Sequence, residues 1–246
     1  MLAEALEKAR AENSRLYRNL ISVQEDERRR IANELHDEAG PCLFGITANA
    51  ASISRLATLE QTDQSQPIKT RVDEIQQITD RLKSINRDLL RNLRPVELGR
   101  IPLTELIASL VAGFERRHPE CSFTMEFGTV GHSYGEDVDL TVFRCVQEGL
   151  TNAVKHGRAK RLSIDIGEDG ATERLRVVIR DNGSGIAKGA TLGLGITAMR
   201  ERVRSIDGTS SIDSSPKGTT VSISVPIKGR AARKSPQPAL VEEAVG

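Results

Sequence analysis

The chain has 246 residues, 38% hydrophobic and 28% charged, which is enough for one or two soluble domains of ordinary composition. Its 35 basic and 34 acidic side chains leave a formal net charge of +1, and only 3% of residues are aromatic. Nucleic-acid binding through a basic or base-stacking surface is therefore not expected. No apolar run approaches the roughly 20 residues that span a bilayer, and the N-terminus lacks a signal-peptide core, so direct membrane insertion is not expected. Three scattered cysteines, Cys42, Cys121 and Cys145, fit reduced thiols and a cytoplasmic location.

The first 59 residues are predicted to be helical, because helix breakers are almost absent and apolar residues recur at short intervals. Over residues 1–24 the spacing alternates between four and three, which predicts a two-stranded coiled coil. The seam positions are Leu2, Leu6, Ala9, Asn13, Leu16, Leu20, Val23 and Glu27. Asn13 lies on this seam, where one buried amide can fix the register and the number of strands.

A helical hairpin is predicted over residues 25–97. Beyond the seam the apolar spacing approaches four, as expected where a coiled coil opens into a bundle. The polar segment 60–67 is predicted to be a loop ending in Pro67, which can begin a helix, and a second apolar stripe runs from Val72 to Leu93. Each helix has an apolar face too long for the other to cover, so two hairpins are expected to pair into a four-helix homodimer.

Beyond Pro95, through which a helix does not readily continue, helices and strands alternate. Helices are predicted over 103–117, 137–156 and 194–206, and strands over 121–127, 162–166, 175–179 and 219–226. This mixture predicts an α/β sandwich over residues 98–228, with helices covering one face of a sheet. Residues 229–246 are predicted to be a disordered tail. The expected fold class is thus multidomain, α in the first part and α+β in the second.

His36 and Asp37 are adjacent on the first helix of the hairpin and are candidates for chemistry. His36 follows the bundle-facing Leu35 by one residue, about 100° around the helix, and should lie at its solvent edge. An imidazole can offer an unprotonated nitrogen to an electrophilic phosphorus near neutral pH, and a neighbouring carboxylate can fix its tautomer. For any single histidine, a surface position on an ordinary solvated helix is the alternative.

Four later segments together could form a nucleotide pocket. Glu148 and Asn152 are four residues apart and share one helical face, and an amide oxygen suits Mg²⁺, which keeps several waters and bridges phosphates. Asp181-Asn182-Gly183-Ser184-Gly185 follows an apolar strand. Gly193-Leu194-Gly195 precedes a helix whose N-terminus presents N–H groups to phosphate, and Gly218-Thr219-Thr220 opens the last strand. Taken singly, the first could be an ordinary amphipathic helix and the second a turn after a strand.

The segment Glu27-Arg28-Arg29-Arg30-Ile31-Ala32-Asn33-Glu34-Leu35-His36-Asp37 resembles the phospho-acceptor box of bacterial two-component sensor histidine kinases, specifically the nitrate-sensor and lipid-fluidity-sensor subfamily. Residues 143–156 resemble the N box of the ATPase fold shared by histidine kinases, Hsp90, MutL and gyrase. The three glycine-containing segments match the later boxes of that fold in order. The resemblance covers about residues 25–227.

This resemblance implies an ATP-dependent histidine autokinase of a two-component system that uses Mg²⁺. His36 would be the nucleophile, Asp37 its orienting base, and Glu148 a catalytic residue that orders a water or assists proton removal. Asn152 would be the metal ligand. The implied nucleotide-binding residues are Asn152, Lys155, His156, Asp181, Gly183, Gly185, Gly193, Leu194, Gly195, Thr219 and Thr220. The phosphoryl group would pass to an aspartate in the receiver domain of a separate response regulator, and residues 1–24 would deliver the signal.

One position departs from the subfamily, which usually has a glutamine five residues after the histidine to orient the water that dephosphorylates the partner. This chain has Pro41 there, preceded by Gly40. Proline has no side-chain amide, and inside a helix it is expected to kink the axis. Phosphatase activity by the usual route is therefore doubtful.

Three other functions fit parts of the sequence: a phosphotransfer scaffold with a dead ATP site, an ATP-gated clamp or chaperone of the same fold, and a coiled-coil interaction protein without catalysis. The intact Glu148, Asn152 and Asp181 argue against the first. An acceptor histidine on a dimer hairpin argues against the second, and the third leaves the pocket residues unexplained.

Overall fold

The structure is a computed structural model that describes residues 2–60, 65–93, 95, 98–187 and 193–227. The chain forms two compact units. One is Asn19–Val96, and the other combines Met1–Arg18 with Glu97–Gly246. Among the described residues, no helix combines the length and the apolar character that crossing a membrane requires.

The helical part consists of α1 (Leu2–Glu34), a π-helical segment (Leu35–Ala39), α2 (Gly40–Glu60) and α3 (Ser65–Leu93). The helices α2 and α3 pack along one another as the predicted hairpin. Their contact buries Ala50, Ala57, Val72 and Leu90. Thr79 is also buried, and its hydroxyl donates to the carbonyl of Ile75 at 2.7 Å. The apolar contact therefore leaves this hydroxyl satisfied.

Apolar side chains on the other faces of these helices are exposed in the single chain. They include Phe44, Ile46, Ile53, Leu56, Ile75, Ile78, Leu82, Ile85 and Leu89 in the hairpin, and Leu6, Leu16, Leu20 and Val23 on the coiled-coil seam. Continuous exposed apolar surface is typical of an interaction site. The coiled coil and the four-helix homodimer stay predictions, and these stripes are the surfaces that they would bury.

The helix that carries His36 changes from α to π geometry just before Pro41. In an α-helix the N–H of residue 41 would donate to the carbonyl of Asp37, but proline has no N–H and its ring clashes with that carbonyl. The π-helical segment Leu35–Ala39 lies where this bond is missing. Gly40 keeps helical φ and ψ of −58° and −58°, a conformation that is disfavoured before a proline because the ring approaches the N–H and Cβ of the preceding residue. The disruption predicted at the proline thus takes the form of a π turn.

The α/β part contains α4 (Leu103–Arg117), β1 (Ser122–Phe127), α5 (Glu136–Lys155), β2 (Arg161–Asp169), β3 (Arg174–Asp181), α6 (Leu194–Ser205), β4 (Thr209–Ser215) and β5 (Gly218–Pro226). The strands form one sheet in the order β1-β2-β3-β5-β4. Strands β1 and β2 run parallel, and the other neighbouring pairs run antiparallel. The helix-rich sandwich that the sequence predicts is therefore present.

One face of this sheet is apolar and carries the helices. Its register places Met125, Ile164, Ile179, Val221 and Ile212 side by side across all five strands. Because side chains alternate along a strand, the residues two positions away on each strand extend the same apolar face. The helices bury their own stripes against it, including Ile107, Val111, Phe143, Val146, Leu150, Met199 and Val203. This core fixes α5 and α6 above the C-terminal end of β3, where the candidate site lies.

Two elements differ from the sequence-based prediction. Strand β4, Thr209–Ser215, was not predicted, because it is mostly serine and threonine with Ile212 as its one large apolar residue. It forms through its hydrogen-bonded pairing with β5, which is a tertiary contact. Helix α3 begins at Ser65 rather than after Pro67, so the proline lies in its first turn. The predicted tail, 229–246, lies outside the described residues.

Candidate active site

His36 and Asp37 both lie in the π-helical segment, and both are exposed in the single chain. The predicted position at the solvent edge agrees with this exposure. Upstream on the same helix, Arg30 forms ion pairs with Glu27 at 2.6 Å and with Glu34 at 2.7 Å. These pairs lock the basic side chain to its own helix, and the imidazole remains open to solvent.

The α/β unit contains a cleft of about 500 Å³ between α5, the start of α6 and the ends of β3 and β5. Nine of the predicted nucleotide-binding or catalytic residues line it: Glu148, Asn152, His156, Asp181, Gly185, Gly193, Leu194, Gly195 and Thr219. Segments that are far apart in the sequence thus meet around one cavity, of a size typical for a small-molecule ligand.

Glu148 and Asn152 form the α5 side of the cleft. The side-chain N–H of Asn152 donates to Glu148 Oε1 at 2.9 Å, as expected for residues four apart on one helix. This bond orients the amide, so that its oxygen is the end that could meet a cation. An amide oxygen beside a carboxylate fits Mg²⁺, which takes one or two protein ligands and completes its shell with water and phosphate oxygens.

The N-terminus of α5 is held by a buried carboxylate. Asp139 is 1% exposed, and it accepts hydrogen bonds from the hydroxyl of Ser133 and, at 3.0 Å, from the backbone N–H of Tyr134. Burial raises the pKa of Asp139, although both hydrogen bonds act in the opposite direction.

Cys145, in the middle of the helix, is fully buried, and burial raises its pKa to about 12. Its thiol is therefore neither ionised near neutral pH nor accessible as a nucleophile.

The loop after β3 is built around Asp181. The backbone N–H of Gly183 donates to Asp181 Oδ1 at 2.7 Å, so a ligand amino group would bond the other carboxylate oxygen. The side chain of Asn182 anchors the loop to the start of β2, because its Oδ1 accepts from the N–H groups of Lys160 and Arg161 at 2.9 and 2.8 Å. Backbone N–H donors thus fix the geometry of the loop.

Strands β4 and β5 close the same end of the cleft. Gly185 has φ +69°, and a Cβ there would overlap the carbonyl oxygen of Ser215, so only glycine fits. The N–H of Ile186 donates to the Ser214 hydroxyl at 2.8 Å, and that hydroxyl lies 3.1 Å from the hydroxyl of Thr219. The unpredicted strand β4 therefore supplies part of the site.

Three predicted residues do not line the cleft. Lys155 is exposed at the end of α5. Gly183 is buried beneath the loop, where a Cβ would meet the carbonyl oxygen of Gly157 at 2.5 Å. Thr220 follows Thr219 on β5, and because side chains alternate along a strand, its hydroxyl leaves from the opposite face of the sheet.

The cleft also has apolar walls that the sequence did not single out. They are Gly149, Ala153, Gly157, Ile179, Ile186, Ile196, Met199, Ile212 and Val221. Gly149 and Ala153 could have been predicted from the sequence, because each directly follows a predicted site residue on α5. At Gly149 an added Cβ would meet Ile179 at 2.8 Å, which shows how closely the helix approaches the sheet.

Two family models match this chain. Residues 27–98 match the model described as Histidine kinase. Residues 137–229 match the model described as Histidine kinase-, DNA gyrase B-, and HSP90-like ATPase. The first segment contains the exposed His36, and the second contains the residues that line the cleft.

Curated relatives are similar along most of the chain. The signal transduction histidine-protein kinase/phosphatase UhpB of Salmonella typhimurium is 34% identical over 226 residues, 92% of this chain and 44% of that protein. The methanol utilization control sensor protein MoxY of Paracoccus denitrificans is 35% identical over 217 residues, 85% of this chain and 48% of that protein. The sensor histidine kinase LiaS of Bacillus subtilis is 31% identical over 212 residues, 84% of this chain and 56% of that protein.

The chain thus spans about half the length of the curated relatives that it matches. The two matched segments nevertheless include both the helical segment that carries His36 and the residues of the cleft. Over these segments the chain belongs to the histidine kinases, and it carries the helical acceptor region and the ATPase domain of a sensor histidine kinase.

Proposed function

We propose that this chain is the homodimeric kinase core of a cytoplasmic two-component sensor, of the nitrate-sensor and lipid-fluidity-sensor subfamily. It would phosphorylate His36 with ATP and pass the phosphoryl group to an aspartate of a separate response regulator. Its parts would be a signalling coiled coil (1–24), a dimerisation and phosphotransfer hairpin (25–97), an ATP-binding domain (98–228) and a tail (229–246). The exposed His–Asp pair, in the same chain as a cleft lined by the ATPase motifs, is the observation that carries this proposal.

In the proposed reaction a ring nitrogen of His36 attacks the γ-phosphorus of ATP. The new N–P bond forms as the bond from phosphorus to the β,γ-bridging oxygen breaks, and ADP leaves with that electron pair. Asp37 holds the N–H on the other ring nitrogen, which fixes the tautomer and stabilises the positive charge that develops.

The cleft residues would position the nucleotide. Asp181 would accept a hydrogen bond from the adenine amino group, and Thr219 would assist through a water. The start of α6, at Gly193 and Gly195, would offer backbone N–H groups to phosphate oxygens. Asn152, oriented by Glu148, would hold Mg²⁺, which when bound neutralises phosphate charge.

Lys155 and His156, at the end of α5, would meet phosphate oxygens by charge and N–H donation. Lys155 does not line the cleft in this structure, so it would have to reach in when the nucleotide binds. Phosphatase activity stays doubtful, because Pro41 stands where the subfamily usually has the water-orienting glutamine.

Incubation with γ-labelled ATP and Mg²⁺ tests the assignment. We expect a label on the parent protein that is acid-labile and base-stable, and that is lost in His36→Gln and in Asn152→Ala. The control is His118→Gln, a change of the same chemistry at a half-buried histidine beside Glu120, which should keep the label. Label retained by His36→Gln would disprove the acceptor. Tight ATP binding without any label would point to a clamp or chaperone instead, and failure to bind ATP would point to a scaffold with a dead ATP site.

A further inference from the structure

One side chain of α6 is buried although it points away from the core. Met199 and Val203 face the core and are 2% and 0% exposed. Successive helical residues are about 100° apart, so Glu201, two residues from each of them, lies about 160° around the helix from both. It is therefore on the outer face of the helix. A glutamate in that position is expected to be in water, yet Glu201 is 6% exposed. A segment other than the sheet therefore covers the outer face of α6.

Ser14, near the start of α1, reaches Glu201 from this outer side. Met1–Arg18 belongs to the same compact unit as α6, and the hydroxyl of Ser14 donates to Glu201 Oε1 at 3.4 Å. Ser14 and Tyr17, one turn apart, are half-buried, whereas Leu16 on the coiled-coil seam is 59% exposed. The contact is thus made by a face of α1 other than the seam.

The two faces of α1 can work at the same time. In the heptad that the seam defines, Ser14 and Tyr17 lie about 130° and about 80° around the helix from the middle of the seam. The seam can therefore pair with a second copy of the helix while the other face holds α6. This arrangement gives the N-terminal helix a partner within its own chain in addition to the predicted coiled coil.

The contact is poorly satisfied, which makes it easy to release. Glu201 Oε1 also accepts from Arg204 at 3.1 Å, but Glu201 Oε2 is buried and has no hydrogen-bond partner among the described residues. A buried carboxylate oxygen without a donor is unfavourable, because it has lost water and gained nothing in return. The same helix begins at Leu194 and Gly195, which line the nucleotide cleft. A segment seated on α6 is therefore directly connected to the edge of that cleft.

We propose that the outer face of α6, centred on Glu201, is a docking surface for residues 3–18 of α1, and that this docking connects the N-terminal helix to the nucleotide-facing helix of the ATPase domain. The surface goes beyond the proposed kinase reaction and does not depend on it. Its test accordingly measures the exposure of Glu201 and needs no catalytic turnover.

Carboxyl footprinting of the full chain provides the test. Carbodiimide and glycine ethyl ester convert accessible carboxylates to amides, which mass spectrometry locates and counts. In the unaltered chain we expect Glu201 to react at about a tenth of the rate of the exposed Glu105, in keeping with its 6% exposure. Asp139, buried inside the domain, shows the background labelling of a carboxylate that is closed to solvent, and this background is subtracted from both rates.

Two variants should expose Glu201. Ser14→Glu places a second carboxylate against the first, and Tyr17→Ala removes half-buried contact area, so each should raise the labelling of Glu201 by about tenfold. Asn19→Glu adds the same charge at an exposed position on another side of the helix and should leave the labelling unchanged. Labelling of Glu201 as fast as Glu105 in the unaltered chain, or equally slow labelling in both variants, would overturn the proposal.

Discussion

Replacing Pro41 with alanine tests the physical origin of the π turn that contains His36. In the structure the π-helical segment Leu35–Ala39 ends just before Gly40 and Pro41. Alanine would restore a backbone N–H that can donate to the carbonyl of Asp37 and would remove the ring that clashes with it. We therefore expect Pro41→Ala to convert the π turn to a regular α-helix and to stabilise the hairpin.

The size of the effect lies between two limits. One restored hydrogen bond is worth about 1 kcal/mol net, and the full difference between proline and alanine in a helix interior is about 3 kcal/mol. Because the π geometry already relieves part of the clash, we expect a gain of about 1–2 kcal/mol, a value between these limits. A π turn is wound less tightly than an α turn, so closing it adds about one residue's worth of rotation and turns α1 by about 100° relative to α2. His36 would turn with it, and autophosphorylation should fall by about 100-fold, since catalysis is sensitive to displacements of 1 Å.

Urea unfolding at fixed protein concentration measures the stability, and labelling with γ-labelled ATP measures the reaction. Pro67→Ala is the matched control. Pro67 lies in the first turn of α3, where a backbone N–H has no acceptor within the helix, so its replacement should change neither quantity appreciably. If Pro41→Ala is no more stable than the parent and is labelled at the same rate, the proline does not cause the π turn and the turn does not position His36.

The structure makes two further predictions. Gly195→Ala should weaken ATP binding by about tenfold in an equilibrium titration, because its Cβ would overlap the flexible end of Glu148 and displace that carboxylate. The control Gly170→Ala, in the exposed turn between β2 and β3, meets open space and should bind ATP like the parent, so equal affinities of the two variants would contradict the geometry. Burial raises the pKa of Asp139, so ionisation of this carboxyl opposes folding. The free energy of unfolding should therefore fall as pH rises from about 4, the pKa of Asp in the unfolded chain, through the raised pKa of the folded state. Asp139→Asn should therefore give a flatter curve of Tm against pH than the parent or the exposed control Asp137→Asn, and parallel curves would refute the assignment.

The helices and inner strands of this protein could be predicted from the sequence because their signals are local. Helix α4 has the predicted bounds, Leu103–Arg117, since its apolar residues recur at spacings of three and four around one stripe. Strand β3 could be predicted from the run Leu175–Ile179, which has the β-branched, apolar character of a buried strand. The motif order along the chain then indicated which segments meet around the cleft.

Other features depended on contacts that no local pattern records. Strand β4 is mostly serine and threonine, and it becomes a strand because β5 offers it a free edge. Thr219 lines the cleft and Thr220 does not, because the sheet register decides which of two similar neighbours faces the helices.

The amino-acid sequence by itself determined the helical hairpin, the α/β sandwich and the positions of His36 and the ATPase motifs, because periodicity and turn chemistry act over a few residues. The tertiary structure alone decided that a π turn accommodates Pro41, and that Glu201 is buried on the outer face of its helix. Both outcomes depend on what surrounds a residue in space. A missing backbone donor is resolved by the geometry of the whole helix, and burial of a charge is set by a segment that is almost 190 residues away in the chain.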